Sequence, residues 1–341
     1  MMSDQKRSNL GQLVELLDDL TITDVFVDAY NRISVVRRDT VEDVPDTFAD
    51  PAALLDAIRA LIAPTGSRID AEHPLVTVRL PDRSRLTAVI PPVSPDGPAL
   101  VLHTFRRERL AMVDLLRFGS LSQQMVDFLQ ACVTGRLSIL MSGGTNSGKM
   151  TVLNCLCDFI PAEERLIVVE RHMEIQLKHR RAVRLEATAG ISMAALITQA
   201  MEMRPERLIA GELSGGEAMP LIQALITGHE GSLALIHATG PADALARLEV
   251  MATMGEVSLP LHVLRGQIAN AFDLVLHQEY CPDGRRRLTR ICEVGGMERD
   301  QIVLNDIFRH DETGFYATGQ QPSFLGRLKA RGVEVDSALF A

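Results

Sequence analysis

The chain has 341 residues, of which 35 are Lys or Arg and 44 are Asp or Glu, giving a formal net charge of −9. Hydrophobic residues make up 46% of the chain, which excludes a disordered protein. The negative charge and an aromatic content of 4% exclude a protein that mainly coats nucleic acid. Because domains run to roughly 100–200 residues, the length predicts about two of them. A polar start, no long apolar run and five cysteines without paired metal-binding spacing predict a soluble protein of a reducing compartment, without structural zinc.

The first hundred residues predict a small α+β domain, which we place at 1–108. The apolar spacing predicts helices over 9–19 and 50–64, and strands within 22–38, 73–92 and 98–107. In the second helix, Asp50 is the predicted N-cap, Pro51 takes the first position and Pro64 ends the helix.

From residue 137 onward, short apolar strands alternate with helical stretches, which is the pattern of an α/β domain with a buried parallel sheet. The predicted strands are LSILMS, RLIVVE, RLIAGE, SLALIHA and FDLVLHQ, with added strands within 283–294 and 301–308. We predict this domain over 137–320, after a helical connector at 109–136 and before a terminal helix in 321–341. Solvated basic faces are expected at 105–109, 178–184 and 284–287.

A glycine-rich string, SGGTNSGKMT, links the first of these strands to a helix. In this setting backbone N–H groups form a nest for phosphate, and Lys149 reaches the β and γ oxygens. The pattern G-x-x-x-x-G-K-[ST] is matched at Gly143, Gly148 and Lys149, while Met150 stands where a hydroxyl would bind Mg²⁺. A glycine-rich turn with a chance lysine is the alternative. The predicted nucleotide-binding residues of this loop are Gly143, Gly144, Thr145, Asn146, Ser147, Gly148, Lys149, Met150 and Thr151.

Five motifs in chain order resemble those of the type II/type IV secretion ATPase superfamily, especially the CpaF-like branch that serves Tad/Flp pili. They are AEHPLVTVRLPDRSRL, the loop SGGTNSGKM, the Asp box VVERHMEIQL, the Walker B segment RPERLIAGELSGGEA and the His box TGHEGSLALIHA. The resemblance covers nearly the whole chain. It implies an α/β fold in which a PAS-like α+β domain precedes a RecA-like P-loop NTPase domain, with ATP and Mg²⁺ as cofactors.

The resemblance also implies roles for single residues. Glu212, at the end of an apolar strand, matches the Walker B acid, which holds Mg²⁺ through water. Glu174 matches the Asp-box glutamate, the base that orients the attacking water. His229 and His237 match the His-box residues that sense the γ-phosphate, although two histidines that flank a strand can equally be structural. Arg85 is the arginine that we expect to close over the phosphates.

The sequence departs from the family pattern at five positions. Met150 replaces the hydroxyl that binds Mg²⁺, and a thioether is a poor ligand for a hard cation. The other departures are Asn146 for a loop glycine, Arg171 for the Asp-box aspartate, Ser214 for the arginine after the Walker B acid, and His103 for an arginine of the N-terminal domain. Losing one positioned stabilising group typically costs ~10²–10³ in rate, so two or three such losses together could leave a protein that binds nucleotide and scarcely hydrolyses it. Against this, Lys149, Thr151, Glu174 and Glu212 all keep the family pattern.

Three functions follow from these patterns. The first, which we predict, is a motor: a homo-oligomer, expected to be a hexamer, hydrolyses ATP and works on a pilus or secretion platform protein at the cytoplasmic side of the inner membrane. The second is a nucleotide-binding subunit that regulates such a machine without hydrolysis; a mixed ring with a paralogue would tolerate the lost groups. The third is a RecA-like motor on nucleic acid, which the charge and the few aromatics disfavour, so no nucleic-acid partner is expected.

Overall fold

The computed structural model describes residues 13–19, 21–37, 40–45, 47–104, 109–188, 190–255 and 259–341. The chain divides into two compact units, Met1–Arg109 and Leu110–Ala341. The finer predicted boundaries, a connector at 109–136 and a tail at 321–341, remain predictions. Residues 9–12 of the first predicted helix and residues 105–108 of the first predicted basic face lie outside the described part of the chain.

The described part of the first unit is an antiparallel six-stranded sheet with two α-helices. The helices are α1 (Leu13–Asp18) and α2 (Pro51–Ile62), and the strands are β1 (Ile22–Ala29), β2 (Arg32–Arg37), β3 (Thr40–Val44), β4 (Leu75–Arg79), β5 (Arg85–Val89) and β6 (Ala99–His103). The strands lie in the order β3-β2-β1-β6-β5-β4. Strand β3 was not predicted, because four of its five residues are exposed and no apolar alternation marks it.

Helix α2 buries one face in the core of the first unit, as its apolar spacing predicts. The buried residues of this face are Leu54, Ala57, Ile58, Leu61 and Ile62. The Asp50 carboxylate accepts a hydrogen bond of 2.8 Å from the backbone N–H of Ala53, which confirms the predicted N-cap. Loss of such a cap costs about 1 kcal/mol. The helix ends at Ile62, just before a 3₁₀ turn that contains Pro64.

The second unit is a nine-stranded sheet with helices on both faces. The helices are α3 (Met112–Arg117), α4 (Gln123–Thr134), α5 (Lys149–Cys157), α6 (Met193–Glu202), α7 (Ala218–Ile226), α8 (Pro241–Thr253), α9 (Leu261–Ala271) and α10 (Leu325–Ala330). The strands are β7 (Ile139–Gly143), β8 (Leu166–Glu170), β9 (Ala182–Glu186), β10 (Arg207–Leu213), β11 (Leu233–His237), β12 (Leu274–Tyr280), β13 (Arg286–Glu298), β14 (Gln301–Asp311) and β15 (Gly314–Ala317). They lie in the order β15-β14-β13-β12-β7-β11-β10-β8-β9, in which the pairs from β12 to β9 are parallel and those from β15 to β12 are antiparallel.

Strand β7 lies inside this sheet, between β11 and β12, and runs parallel to both. Ile139 and Met141 belong to the hydrophobic core on one face, and Leu140 belongs to the core on the other. A strand buried on both faces is a continuous apolar run, which is why the sequence predicts it. The carboxyl ends of β7, β8, β10, β11 and β12 meet at one edge of the sheet, the edge where open α/β sheets bind ligands.

Two parts of the second unit differ from the sequence interpretation. Residues 182–184 of the basic segment 178–184 belong to the edge strand β9, which runs parallel to β8, so the interpretation of the whole segment as a solvated face is wrong. In β9, Val183 and Leu185 alternate with charged residues, and both pack partly buried against the core. The terminal helix is short and is followed by a 3₁₀ turn at Ser337–Phe340. Within the described residues, no helix combines the length and the apolar character needed to cross a membrane.

Candidate functional site

The loop between β7 and α5 carries the predicted phosphate-binding residues. Gly143 is the last residue of β7, and Lys149 is the first residue of α5. Between them, Asn146 and Gly148 have φ angles of 59° and 87°, in the left-handed region that glycine adopts freely and asparagine tolerates better than most residues. The loop therefore turns sharply into the helix, so that the N-terminus of α5 lies at the ligand-binding edge, where its N–H groups can bind phosphate.

Close packing requires glycine at position 143. A Cβ atom there would lie 2.5 Å from the Gln278 carbonyl oxygen and 2.5 Å from Ser147 Oγ. Ser147 is buried, and its hydroxyl has no hydrogen-bond partner among the described residues. The loop is thus compact around Gly143 and encloses the Ser147 hydroxyl.

Lys149 and Glu212, which the sequence analysis selects from separate motifs, lie together. Lys149 Nζ is 3.1 Å from Glu212 Oε2 and 3.3 Å from the Gly144 carbonyl oxygen. The Lys149 side chain is 11% exposed and that of Glu212 is 46% exposed, so the ammonium is enclosed and the carboxylate opens to solvent. A buried cation and a solvent-facing acid therefore meet at the mouth of the loop.

Glu174 is positioned by a residue that the sequence analysis did not select. Glu170, the last residue of β8, is 1% exposed, and its Oε1 accepts hydrogen bonds of 2.8 Å from the backbone N–H groups of Glu174 and Ile175. Arg184 Nη2 lies 3.5 Å from Glu170 Oε2 and also donates to the Ile175 carbonyl. Gly211 permits the approach of β10, since a Cβ there would lie 3.0 Å from Glu170 Cγ. The predicted base thus follows a buried carboxylate that lies beside β10, the strand that carries Glu212.

Burial raises the pKa of the Glu170 carboxyl above its ordinary value of 4.5, although the amides of Ile175 and Glu174 and the charge of Arg184 oppose the shift. The unfolded chain then ionises first as the pH rises, so this group lowers the free energy of unfolding progressively from about pH 4.5 upward through its raised pKa. We expect the difference in free energy of unfolding between wild type and Glu170→Gln to fall with pH over this window. Urea unfolding of both proteins between pH 4 and 8 tests this, and a difference that stays constant or rises would contradict it.

The two predicted histidines lie at opposite edges of the sheet. His237, the last residue of β11, is paired with Gly143 of β7, beside the phosphate loop. His229 precedes β11, and its Nδ1 lies 3.1 Å from the Ala224 carbonyl oxygen at the end of α7. Within one chain, the structure brings His237 to the loop and does not bring His229 there. The role of both histidines in sensing the γ-phosphate remains a prediction.

Met150 is the second residue of α5, and its side chain packs partly buried against the hydrophobic core. Thr151, the next residue, is half-buried. The thioether at position 150 therefore contributes to packing, and it leaves out the oxygen that the phosphate-loop pattern places there for Mg²⁺.

Strand β12 and the hairpin that follows it contribute contacts that the sequence analysis missed. The buried His277 lies with its Nδ1 2.9 Å from Ser142 Oγ, at the end of β7. Arg286 Nε donates a hydrogen bond of 2.7 Å to the Asn146 carbonyl oxygen in the phosphate loop. The interpretation of 284–287 as a solvated face is therefore wrong for Arg286, which supports the loop.

Arg85 lies in the first unit, in a row of polar residues that crosses four strands. The register pairs Arg79 with Arg85, Arg85 with His103, and His103 with Asp24. His103 Nδ1 lies 2.7 Å from Asp24 Oδ1. The role of Arg85 toward a nucleotide remains a prediction.

Known proteins match both the sequence and the fold. The family described as type II/IV secretion system protein matches residues 6–328. A Mycobacterium tuberculosis protein named for conjugal transfer is 30% identical over 328 residues, which cover 88% of this chain and 93% of that protein. VirB11 of Agrobacterium fabrum is 27% identical over 313 residues, covering 80% of this chain and 89% of VirB11. The X-ray structure of the Legionella pneumophila ATPase DotB matches with a TM-score of 0.58 and 19% identity, over 81% of this chain and 78% of DotB. The predicted fold class, an α+β domain followed by a RecA-like domain, is confirmed.

Proposed function

The chain belongs to the type II/IV secretion system protein family, and from this premise we propose that it binds and hydrolyses ATP as the motor subunit of a secretion machine. The contact that carries the proposal is the 3.1 Å approach of Lys149 Nζ to Glu212 Oε2 at the mouth of the phosphate loop. A structural ion pair would not need a glycine-rich loop, a helix N-terminus and a second acidic segment around it. All three lie at the ligand-binding edge of this sheet.

The residues of the loop fit a phosphate group. The close-packed turn at Gly143, the N-terminus of α5 and the enclosed ammonium of Lys149 are complementary to negative charge. The fit to Mg²⁺ is partial, because Glu212 offers the oxygen that this ion prefers and Met150 offers none. When bound, Mg²⁺ would neutralise charge on the phosphate oxygens.

Lys149 changes partner in the proposed reaction. Its ammonium leaves the Glu212 carboxylate for the phosphate oxygens, and Glu212 becomes available to hold Mg²⁺ through water. Glu174, whose backbone is fixed by Glu170, orients the attacking water and accepts its proton. His237, paired with Gly143, is the histidine that we place near the γ-phosphate.

We extend the proposal to the machine that the five motifs indicate. In it the chain forms a homo-oligomer, a hexamer, and works from the cytoplasmic side on an inner-membrane pilus or secretion platform protein. The ordered motifs support the CpaF-like branch. A ring that also contains a more conventional paralogue is an alternative form of this machine, because the paralogue would supply the groups that this chain lacks.

One observation favours a second function, a nucleotide-binding subunit that does not hydrolyse ATP. The Met150 side chain packs against the core in place of the expected hydroxyl. Such a subunit would keep the phosphate-binding loop and lose one stabilising group in the transition state, which typically costs ~10²–10³ in rate.

We expect Met150→Thr to raise kcat for ATP hydrolysis by about tenfold or more, and to lower the Mg²⁺ concentration that gives half of the maximal rate. Met150→Leu is the matched control, since it keeps the apolar packing and adds no oxygen. Steady-state hydrolysis and nucleotide-dependent thermal stabilisation of the three proteins test the proposal. Turnover by wild type supports the motor, stabilisation without turnover supports the second function, and the absence of both contradicts nucleotide binding altogether.

A further inference from the structure

Two of the departures from the family pattern change the local charge in opposite directions. The pattern has an aspartate at position 171 and an arginine at position 214, whereas this chain has Arg171 and Ser214. The positive charge has therefore moved from the loop after β10 to the segment after β8. These two strands are neighbours in the sheet.

Both departures contact one carboxylate. Glu217 Oε1 accepts hydrogen bonds from Ser214 N at 2.8 Å and Gly215 N at 3.1 Å, and Ser214 Oγ lies 3.4 Å from it. Arg171 Nη2 lies 3.1 Å from the same oxygen. The Glu217 side chain is 7% exposed, so its charge is largely removed from water and needs a cation or N–H groups nearby.

The contact joins the two segments that carry the proposed catalytic acids. Arg171 directly follows Glu170, the carboxylate that fixes the backbone of Glu174. Glu217 ends the short loop that follows β10, the strand that carries Glu212. One ion pair thus connects the position of the proposed base to the position of the proposed Walker B acid.

We propose that Arg171 is a positioning residue that replaces the missing arginine of position 214 and, through Glu217, sets the spacing between Glu174 and Glu212. The inference rests on the proposed ATPase function. It implies that Arg171 and Ser214 are one compensated rearrangement of charge, and that neither marks a lost active site.

The experiment exchanges the charges back. Arg171→Asp places a carboxylate against Glu217, and we expect kcat to fall by about tenfold to 10²-fold with KM for ATP nearly unchanged, because small misplacements near the chemistry have effects of that size. Arg171→Asp with Ser214→Arg restores the family pattern, and we expect kcat to return to within about threefold of wild type, as a compensated pair should behave. Arg309→Asp is the matched control, since the Arg309 side chain has the same 50% exposure and also faces a carboxylate, Asp306, at 3.7 Å.

Hydrogen exchange gives a second readout that does not need turnover. The amides of Glu174 and Ile175 should exchange faster in Arg171→Asp, and at the wild-type rate in the double variant and in Arg309→Asp. A double variant no better than Arg171→Asp in kcat overturns the proposal, and restored exchange without restored kcat overturns the positioning role. If wild type itself shows no hydrolysis, the proposed function fails, and the exchange rates alone still decide whether Arg171 and position 214 compensate each other.

Discussion

Lys149→Ala is expected to lower ATP hydrolysis by at least ~10²–10³-fold and to abolish stabilisation by nucleotide. Such a loss is typical for one preorganised group that stabilises developing charge. The Lys149 ammonium is enclosed at the mouth of the loop, 3.3 Å from the Gly144 carbonyl oxygen and 3.1 Å from Glu212 Oε2, where we expect it to meet a phosphate oxygen. Without it, the Glu212 carboxylate faces the phosphate-binding position with no cation from the loop.

Steady-state hydrolysis and thermal unfolding with and without ATP measure both effects. Lys329→Ala is the control, because this substitution removes the same charge from an exposed position on α10, far from Lys149 along the chain. Hydrolysis by Lys149→Ala at the wild-type rate would show that the loop is not the catalytic site. Equal losses in both variants would show that net charge, and not position, is responsible.

Gly143→Ala is expected to lower the free energy of unfolding by about 1–3 kcal/mol, the usual cost of adding a methyl group to a packed site, and to remove nucleotide binding. The added Cβ would meet the Gln278 carbonyl oxygen at 2.5 Å. That oxygen belongs to β12, which is paired with strands on both sides and cannot retreat without breaking the sheet. The Ser147 hydroxyl, at the same distance, can rotate away, so the clash with Gln278 determines the effect.

The neighbouring glycine provides the control for this clash. A Cβ atom at Gly144 would meet nothing within 4 Å, so Gly144→Ala should leave the free energy of unfolding nearly unchanged. Urea unfolding of the two variants and wild type measures the difference. Equal stability of Gly143→Ala and Gly144→Ala would contradict the packing that places β12 against the loop.

Local sequence patterns predict most of the second unit and the centre of its candidate site. Strands such as β7 and β8 are buried on both faces, so each forms a largely apolar run that can be recognised in the sequence without any knowledge of its neighbours. The phosphate loop is also recognised from a short stretch of sequence, because its glycines and Lys149 all lie in one turn and at the start of one helix. Glu212 follows from the same reasoning, since it ends an apolar strand.

The residues that support the site depend on contacts between distant segments, and no short pattern contains them. Arg286 reaches the Asn146 carbonyl from a position 140 residues further along the chain. Arg184 lies in a stretch whose composition is typical of a solvated surface, and it contacts Glu170 only because β9 is paired with β8. The sequence does contain one indication of the role of Glu170. A carboxylate at the end of an apolar strand needs N–H donors or a cation nearby, so contacts of this kind could have been predicted for it.

The position of β7 has a consequence for how the chain is made. Its two partner strands, β11 and β12, come much later in the sequence, after three further strands and several helices. Pairing between such distant segments is slow, because the closure of long loops costs entropy before any contact is gained. During synthesis, the phosphate-binding string therefore emerges long before it has a sheet to fix it. A chain that ends before Gln278 contains the entire loop sequence and lacks the packing that gives the loop its shape.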